Sequence, residues 1–104
     1  MKFAVTIQPT AQADAFEAVA YIARHSPDNA NKWYEGILAT MQSLDEMPRR
    51  CPMAREARAV KREIRQHHFG VYRILFTILD SEVRILHIRH GARRTMRRDE
   101  IIMD

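Results

Sequence analysis

The sequence predicts an α+β protein in which an N-terminal strand and an antiparallel helical hairpin pack on a small antiparallel β-sheet, followed by a basic C-terminal tail. Two segments between residues 10 and 48 repeat apolar side chains at helical spacing. Two runs between residues 71 and 90 are rich in β-branched and aromatic side chains and suit a hairpin. A chain of 104 residues has the size of one domain, so we expect a single domain over residues 1–104.

The first strand and the first helix follow from local patterns. Residues 3–8 alternate weakly and stop at Pro9, which predicts a short strand at a sheet edge. Residues 10–25 are rich in alanine and contain neither glycine nor proline. They therefore predict a helix with Thr10 as its N-cap.

The second helix has clearer end signals. Ser26 suits the N-cap, Pro27 fits the first helical position, and Pro48 predicts an end near Met47. Between them, apolar residues recur at steps of four, three, four and three: Ala30, Tyr34, Ile37, Met41 and Leu44. Because only a few residues join the two helices, we expect an antiparallel hairpin.

The rest of the chain predicts three strands. Residues 49–59 lack a consistent period and indicate a loop with room for a helical turn. Residues 60–69 carry polar side chains at close intervals and predict an exposed strand, after which Gly70 permits a turn or a bulge. The run VYRILFTILD is apolar on nearly both faces and predicts a central strand, with VRILHIRH as its hairpin partner.

The charge is divided unevenly along the chain. Residues 1–48 contain three Lys/Arg and six Asp/Glu, whereas residues 49–104 contain fourteen and seven. Such asymmetry indicates nucleic acid or an acidic protein as the partner. The single cysteine, Cys51, excludes an internal disulfide and favours the cytoplasm. No apolar run approaches the roughly 20 residues that span a bilayer, so we expect no membrane segment.

Arg73 stands out because it interrupts the strand that we expect to be central. A desolvated guanidinium needs a partner, and two explanations remain open. It pairs with Glu63 or reaches the sheet edge, or it binds a phosphate or an acidic partner.

The neighbours of Arg73 depend on the length of the last hairpin loop. A two-residue loop places Arg73 opposite Ile88 and makes His90 its diagonal neighbour on one face. A three-residue loop places His87 and Arg89 on that face instead. Either arrangement joins a histidine to an arginine, the groups of an acid–base pair and a phosphate clamp.

The other chemical motifs are weak or absent. His67 and His68 are adjacent and point to opposite faces of a strand, and no spacing resembles a zinc motif, a phosphate loop or a dinucleotide site. We therefore expect no metal and no cofactor. Arginines recur at helical spacing in the tail, at positions 93, 94, 97 and 98. A short helix or turn there would form a cationic stripe, and the alternative is a solvated tail.

Four segments in this order resemble the RelE/ParE superfamily of type II toxin–antitoxin toxins: AVAYIARHSPDNANKWYEGI, LDEMPRRCP, VYRILFTI and VRILHIRHGARR. The resemblance implies a helical hairpin on an antiparallel sheet, as predicted above. It also implies a small cytoplasmic toxin of the kind that serves plasmid stabilization and growth inhibition. Its partner would be a cognate antitoxin with an acidic C-terminal segment in a hetero-oligomer, and it would contact DNA only through that antitoxin.

The superfamily divides into gyrase inhibitors (ParE type) and ribosome-dependent mRNA endoribonucleases (RelE type). Arg73 matches the mid-strand arginine of the superfamily, and His90 falls where some of the nucleases have a histidine. Gly91 stands where their late tyrosine would be, and no tyrosine follows Tyr72. This departure favours a ParE-like inhibitor of DNA gyrase that is not an enzyme.

Two alternatives stay open: a RelE-like endoribonuclease acting on mRNA at the ribosome through Arg73 and His90, and a non-toxic basic protein-binding module. The predicted target- or antitoxin-binding residues are mostly arginines of the second half: Arg73, Arg89, His90, Arg93, Arg94 and Arg97.

Overall fold

The structure, a computed structural model, describes residues 2–103. Its strands and helices follow in the order β1 (Ala4–Ile7), α1 (Pro9–Ala23), α2 (Pro27–Gln42), α3 (Ala57–Val60), β2 (Arg65–Phe69), β3 (Tyr72–Leu79) and β4 (Glu82–His90). Short 3-10 helices lie at Ser43–Asp45, Pro48–Arg50 and Arg98–Glu100. None of the helices within residues 2–103 is long and apolar enough to cross a membrane.

The four strands form one mixed sheet in the order β1-β4-β3-β2. Strands β2, β3 and β4 form the expected antiparallel meander, and β1 adds to its edge in parallel with β4. The predicted α+β class and the edge position of the first strand are confirmed. The sheet differs from the prediction in being mixed rather than wholly antiparallel, because β1 runs in the same direction as β4.

Both faces of the sheet are covered, which explains why β3 is apolar on both sides. Ile74, Phe76 and Ile78 pack with buried residues of α1 and α2, such as Ala15 and Ile37. The other face carries a second cluster that the 51–64 connection and the C-terminal segment complete: Ala54, Ile64, Leu75, Leu86 and Met96. The central position of β3 is therefore confirmed.

A bulge in β4 decides which residues face each other. The turn at Asp80 and Ser81 is a two-residue loop, and Leu79 pairs with Glu82. Phe76 then pairs with Ile85 and Leu75 with His87, so Leu86 is the extra residue.

The bulge changes the predicted register of the last hairpin. Arg73 pairs with Arg89, and Tyr72 pairs with His90. The predicted pairing of Arg73 with Ile88 is wrong, although the loop length on which it depended is correct. Because cross-strand partners share a face of the sheet, Arg73 lies on the same face as His87 and Arg89. The second alternative predicted this arrangement from a three-residue loop, whereas the structure produces it by a bulge.

The structure confirms the predicted start of α2 and corrects the predicted start of α1. Ser26 caps α2 by accepting a hydrogen bond from the Asn29 N–H at 3.3 Å, as expected. Helix α1 begins at Pro9 with Gln8 as its N-cap, so the prediction for Thr10 is wrong, since proline occupies the first helical position.

Three other predicted segments change as well. Helix α2 ends at Gln42, several residues before Met47, and continues only as the 3-10 turn Ser43–Asp45. Strand β2 begins at Arg65, not at residue 60. Residues 93–97 are not helical, and a 3-10 turn follows at Arg98–Glu100, so within residues 2–103 the four tail arginines do not share one helix.

Candidate functional site

An open groove of about 580 Å³ lies between the C-terminal half of α1 and the end of β4. Helix α1 lines one side with acidic and aromatic residues, including Asp14 and Tyr21, and β4 with the residues after it supplies Arg89, His90 and Arg93. Tyr21 is 60% exposed, so the groove offers a large aromatic surface to solvent. The groove brings together three of the residues that the sequence predicted for binding.

Tyr72 and His90 form a pair in this groove. They are cross-strand partners, and their rings meet edge to face with centroids 5.3 Å apart. His90 accepts a hydrogen bond from the Ala92 N–H on Nδ1 at 3.0 Å, so the neutral ring carries its proton on Nε2. Burial, with a smaller contribution from Tyr21, raises the pKa of the Tyr72 hydroxyl. Sequence reasoning placed Tyr72 only in the apolar face of β3 and missed its position beside His90.

Gly91 closes the end of the last hairpin. Its N–H donates to the Val71 carbonyl at 2.7 Å. A Cβ at this position would lie 3.0 Å from the same carbonyl oxygen. A side chain at position 91 would therefore crowd the backbone carbonyl of Val71, just before β3. This is a physical reason for glycine at the position where the resemblance expects tyrosine.

His87 lines the groove, but its contacts are structural. It is buried, and its Nδ1 lies 3.3 Å from a carboxylate oxygen of Asp14, which also accepts the Ile88 N–H at 3.0 Å. Its Nε2 accepts the Ile102 N–H at 3.1 Å, so the neutral ring donates from Nδ1 to Asp14. The carbonyl of Ile102 accepts from the Gln8 amide at 3.0 Å. His87 thus joins α1, the bulge and the C-terminal segment.

Arg73 does not line the groove, because it is 3% exposed and bound to Glu56. Its two terminal nitrogens donate to the two carboxylate oxygens of Glu56 at 3.0 and 2.8 Å, and one of them also donates to Gln66 at 3.0 Å. Glu56 is fully buried and accepts the Met96 N–H at 3.0 Å. The expected pairing of Arg73 with Glu63 is wrong, because Glu63 binds Arg65 instead.

The pKa of Glu56 reflects these contacts. Burial acts to raise it, but the hydrogen bonds from Arg73 and from the Met96 N–H outweigh burial and lower the pKa to about 2. Glu56 is therefore ionised at neutral pH and neutralises Arg73. Sequence reasoning missed this carboxylate because it lies in an irregular connection 17 positions before Arg73.

The predicted arginines of the tail differ in their freedom to bind a partner. Arg94 binds both carboxylate oxygens of Glu100 at 2.7 and 2.8 Å, and Arg97 lies 3.5 Å from Asp99 and 3.9 Å from Glu100. The hydrogen bond from Arg94, together with the N–H of Arg97, lowers the pKa of Glu100 to about 2.

The two remaining predicted arginines adjoin the groove. Arg89 is buried, donates from Nε to the Arg94 carbonyl at 3.0 Å, and leaves Nη2 without a hydrogen bond. Burial, then Arg93, lowers the pKa of Arg89. Arg93 is exposed and forms no ion pair within residues 2–103. Within those residues, no group of three His, Cys, Asp or Glu side chains could hold a metal ion.

The helical hairpin on a four-stranded sheet is the arrangement that the resemblance to the RelE/ParE superfamily of small toxins implied. More narrowly, the chain belongs to the ParE toxin family of type II toxin–antitoxin systems (parDE), whose sequence model matches residues 5–95. A comparison with curated protein sequences finds no match.

Two solved structures are similar to the chain. One is a chain of the chromosomal ParDE system from P. aeruginosa, with a TM-score of 0.70 and 17% identity, covering 86% of this chain and 96% of that one. The other belongs to the toxin–antitoxin complex RelBE2 from Mycobacterium tuberculosis, with a TM-score of 0.59 and 22% identity, covering 89% and 95%. At these identities the likeness shows a shared fold.

Proposed function

We propose that this protein is the toxin of a type II toxin–antitoxin pair, that it binds and inhibits DNA gyrase in the cytoplasm, and that a cognate antitoxin with an acidic C-terminal segment neutralises it. The family match over residues 5–95 supports the toxin class. The similarity to chains of ParDE and RelBE complexes supports an antitoxin partner.

The observation that carries the choice of gyrase is the burial of Arg73 against Glu56. The nuclease alternative assigned the phosphate contact to Arg73, and a guanidinium whose two terminal nitrogens both bind a carboxylate is not available for that contact. The lining of the groove instead contains two tyrosines, Tyr21 and Tyr72, two histidines, and two exposed arginines, Arg24 and Arg93, that form no ion pair within residues 2–103. This composition suits protein binding, for which exposed aromatic and arginine side chains are typical anchors.

The antitoxin segment is proposed to lie along the same groove. Arg93 forms no ion pair within residues 2–103, so it offers an acidic segment its first contact. Arg94 and Arg97 already contact Glu100, and an antitoxin carboxylate would have to share or replace that partner. Arg89 and His90 also line the groove, and Arg89 is buried without an ion pair within residues 2–103, so its guanidinium is less accessible to a partner than that of Arg93.

A supercoiling assay with purified gyrase tests the target. The wild-type chain should inhibit supercoiling, and Arg93→Glu should raise the concentration needed for half-inhibition at least tenfold, since it reverses the charge at the groove. Lys32→Glu, an exposed charge reversal on α2, serves as the matched control and should leave inhibition unchanged. Full supercoiling at saturating wild-type chain would contradict the proposal.

A second function, mRNA cleavage, is favoured by one observation, the contact of Tyr72 with His90 in the groove. The two rings supply a phenol and an imidazole side by side, which are groups for proton transfer to and from an RNA backbone. This function predicts cut messages after induction, and it predicts that Tyr72→Phe and His90→Gln each abolish cutting. Induced expression with simultaneous measurement of DNA breaks and message cleavage separates the two functions, because gyrase inhibition leaves transcripts intact.

A further inference from the structure

The connection between α2 and β2 carries a concentration of positive charge that the groove does not use. Residues 49–62 contain six Lys/Arg and a single carboxylate, Glu56. That carboxylate is fully buried and bound to Arg73. The surface of the connection therefore carries six cations and no carboxylate of its own.

Four of these cations line one open groove of about 820 Å³: Arg55, Arg58, Lys61 and Arg62. All four are exposed, and none forms an ion pair with any residue between 2 and 103. Glu63 also lines the groove, but it binds Arg65 at 2.8 Å. The groove thus presents four unpaired positive charges, which repel one another and favour an anionic ligand.

We propose that this second groove binds the sugar–phosphate backbone of duplex DNA. Guanidinium groups match phosphate geometry, and phosphate contacts need no base-reading side chain. The lining contains no aromatic residue that could stack on an unpaired base or anchor a protein partner, and Met53 is its one large exposed apolar residue. These features favour a double-stranded backbone, bound without sequence preference, over a single strand or a protein.

The second groove shares no lining residue with the groove proposed for gyrase and the antitoxin. Residues 54–64 of the connection pack in the second apolar cluster, on the face of the sheet away from α1 and α2. A chain held on DNA by this groove could still present Tyr21 and Arg93 to a protein. The inference goes beyond the proposed function, and it departs from the expectation that the chain reaches DNA only through an antitoxin.

The test is fluorescence anisotropy of a labelled 20-base-pair duplex of mixed sequence with the purified chain and no gyrase. Four phosphate contacts predict a slope of roughly −3.6 for the logarithm of the binding constant against the logarithm of salt, so affinity should fall on the order of 100-fold from 50 to 200 mM salt. The patch variant replaces the four cations with glutamine: Arg55→Gln, Arg58→Gln, Lys61→Gln and Arg62→Gln. Since all four side chains are exposed, circular dichroism should show an unchanged fold.

A control variant removes four charges elsewhere and so has the same net charge: Lys2→Gln, Arg24→Gln, Lys32→Gln and Arg98→Gln. The inference expects the patch variant to lose at least 30-fold in affinity at 50 mM salt and most of its salt slope, while the control stays within about threefold of wild type. Equal losses in both variants would show attraction by net charge alone and overturn the assignment. If the wild-type chain does not bind the duplex, the proposal is wrong. Tighter binding of polyglutamate than of DNA through these four residues would also overturn it and would indicate a protein-binding groove. Because gyrase is not present, these outcomes do not depend on the proposed target.

Discussion

Replacing Glu56 with glutamine removes the negative charge that neutralises the buried guanidinium of Arg73. The carboxylate of Glu56 accepts from both terminal nitrogens of Arg73 and from the Met96 N–H, so it joins the 51–64 connection, β3 and the C-terminal segment. Glutamine has the same shape but offers one acceptor oxygen in place of two. The variant keeps the packing and leaves a buried guanidinium without its counter-charge.

The size of the loss follows from the pKa of Glu56. Its fall from 4.5 to about 2 corresponds to about 3 kcal/mol of stabilisation for the ionised form, since each pKa unit is worth about 1.4 kcal/mol. Breaking one side of a buried ion pair typically costs about 3–5 kcal/mol, which agrees with that value. We expect Glu56→Gln to lower the free energy of unfolding by about 3 kcal/mol at pH 7.

Urea unfolding at pH 7 and pH 3 measures how much stability the variant loses and whether the loss comes from the charge of Glu56. Because the folded pKa lies below the unfolded value of 4.5, the contribution is fully present above pH 4.5 and is lost as the pH falls toward 2. The difference between wild type and Glu56→Gln should therefore shrink at pH 3. Glu63→Gln is the matched control, since its partly exposed pair with Arg65 should contribute no more than about 1 kcal/mol.

Two results would refute this reasoning. If Glu56→Gln lowers the free energy of unfolding by less than about 1 kcal/mol at pH 7, other groups would stabilise the Arg73 guanidinium as well as Glu56 does. A difference that stays constant between pH 7 and pH 3 would mean that the charge of Glu56 is not the source of the stability.

Three smaller predictions follow from single contacts. Gly91→Ala should destabilise the fold by about 1 kcal/mol in thermal unfolding, because its Cβ would lie 3.0 Å from the Val71 carbonyl oxygen, and a raised melting temperature would contradict this. His87→Ala should increase the amide exchange rate of Ile102, whose N–H it binds at 3.1 Å, with no change expected in the central strands. Ser26→Ala should cost about 0.5–1 kcal/mol through the loss of the exposed N-cap, and helix content by circular dichroism should fall only slightly.

The sequence predicted the elements whose patterns are local. The stripe from Ala30 to Leu44 repeats with the helical period, and Ser26 with Pro27 marks the start of α2 without any knowledge of the rest of the chain. Strand β3 could be placed in the centre because a run that is apolar on both faces needs cover on both faces. The resemblance, carried by four segments in order, then predicted the family that the comparison over residues 5–95 shows.

The candidate site was predictable only in part. Sequence reasoning selected Arg89, His90 and Arg93, which line one groove. It missed Tyr72 and the cations of the connection between α2 and β2, residues 49–62. Tyr72 looked like an ordinary core residue, because its alternation with Ile74 and Phe76 is the pattern of a buried face. The connection looked like an irregular loop, since nothing local shows which of its charges reach solvent.

The sequence by itself determined the order of helices and strands, the family and the excess of positive charge in the second half, because these depend on residue types and short periods. Only the tertiary structure decided which positive charges are free. In the folded chain Glu56 forms an ion pair with Arg73, and Glu100 forms one with Arg94. A bulge at Leu86 places Tyr72 rather than Arg73 beside His90. Ion pairs and cross-strand neighbours join residues that are distant in the chain, and their partners are set by how the elements pack rather than by any local pattern.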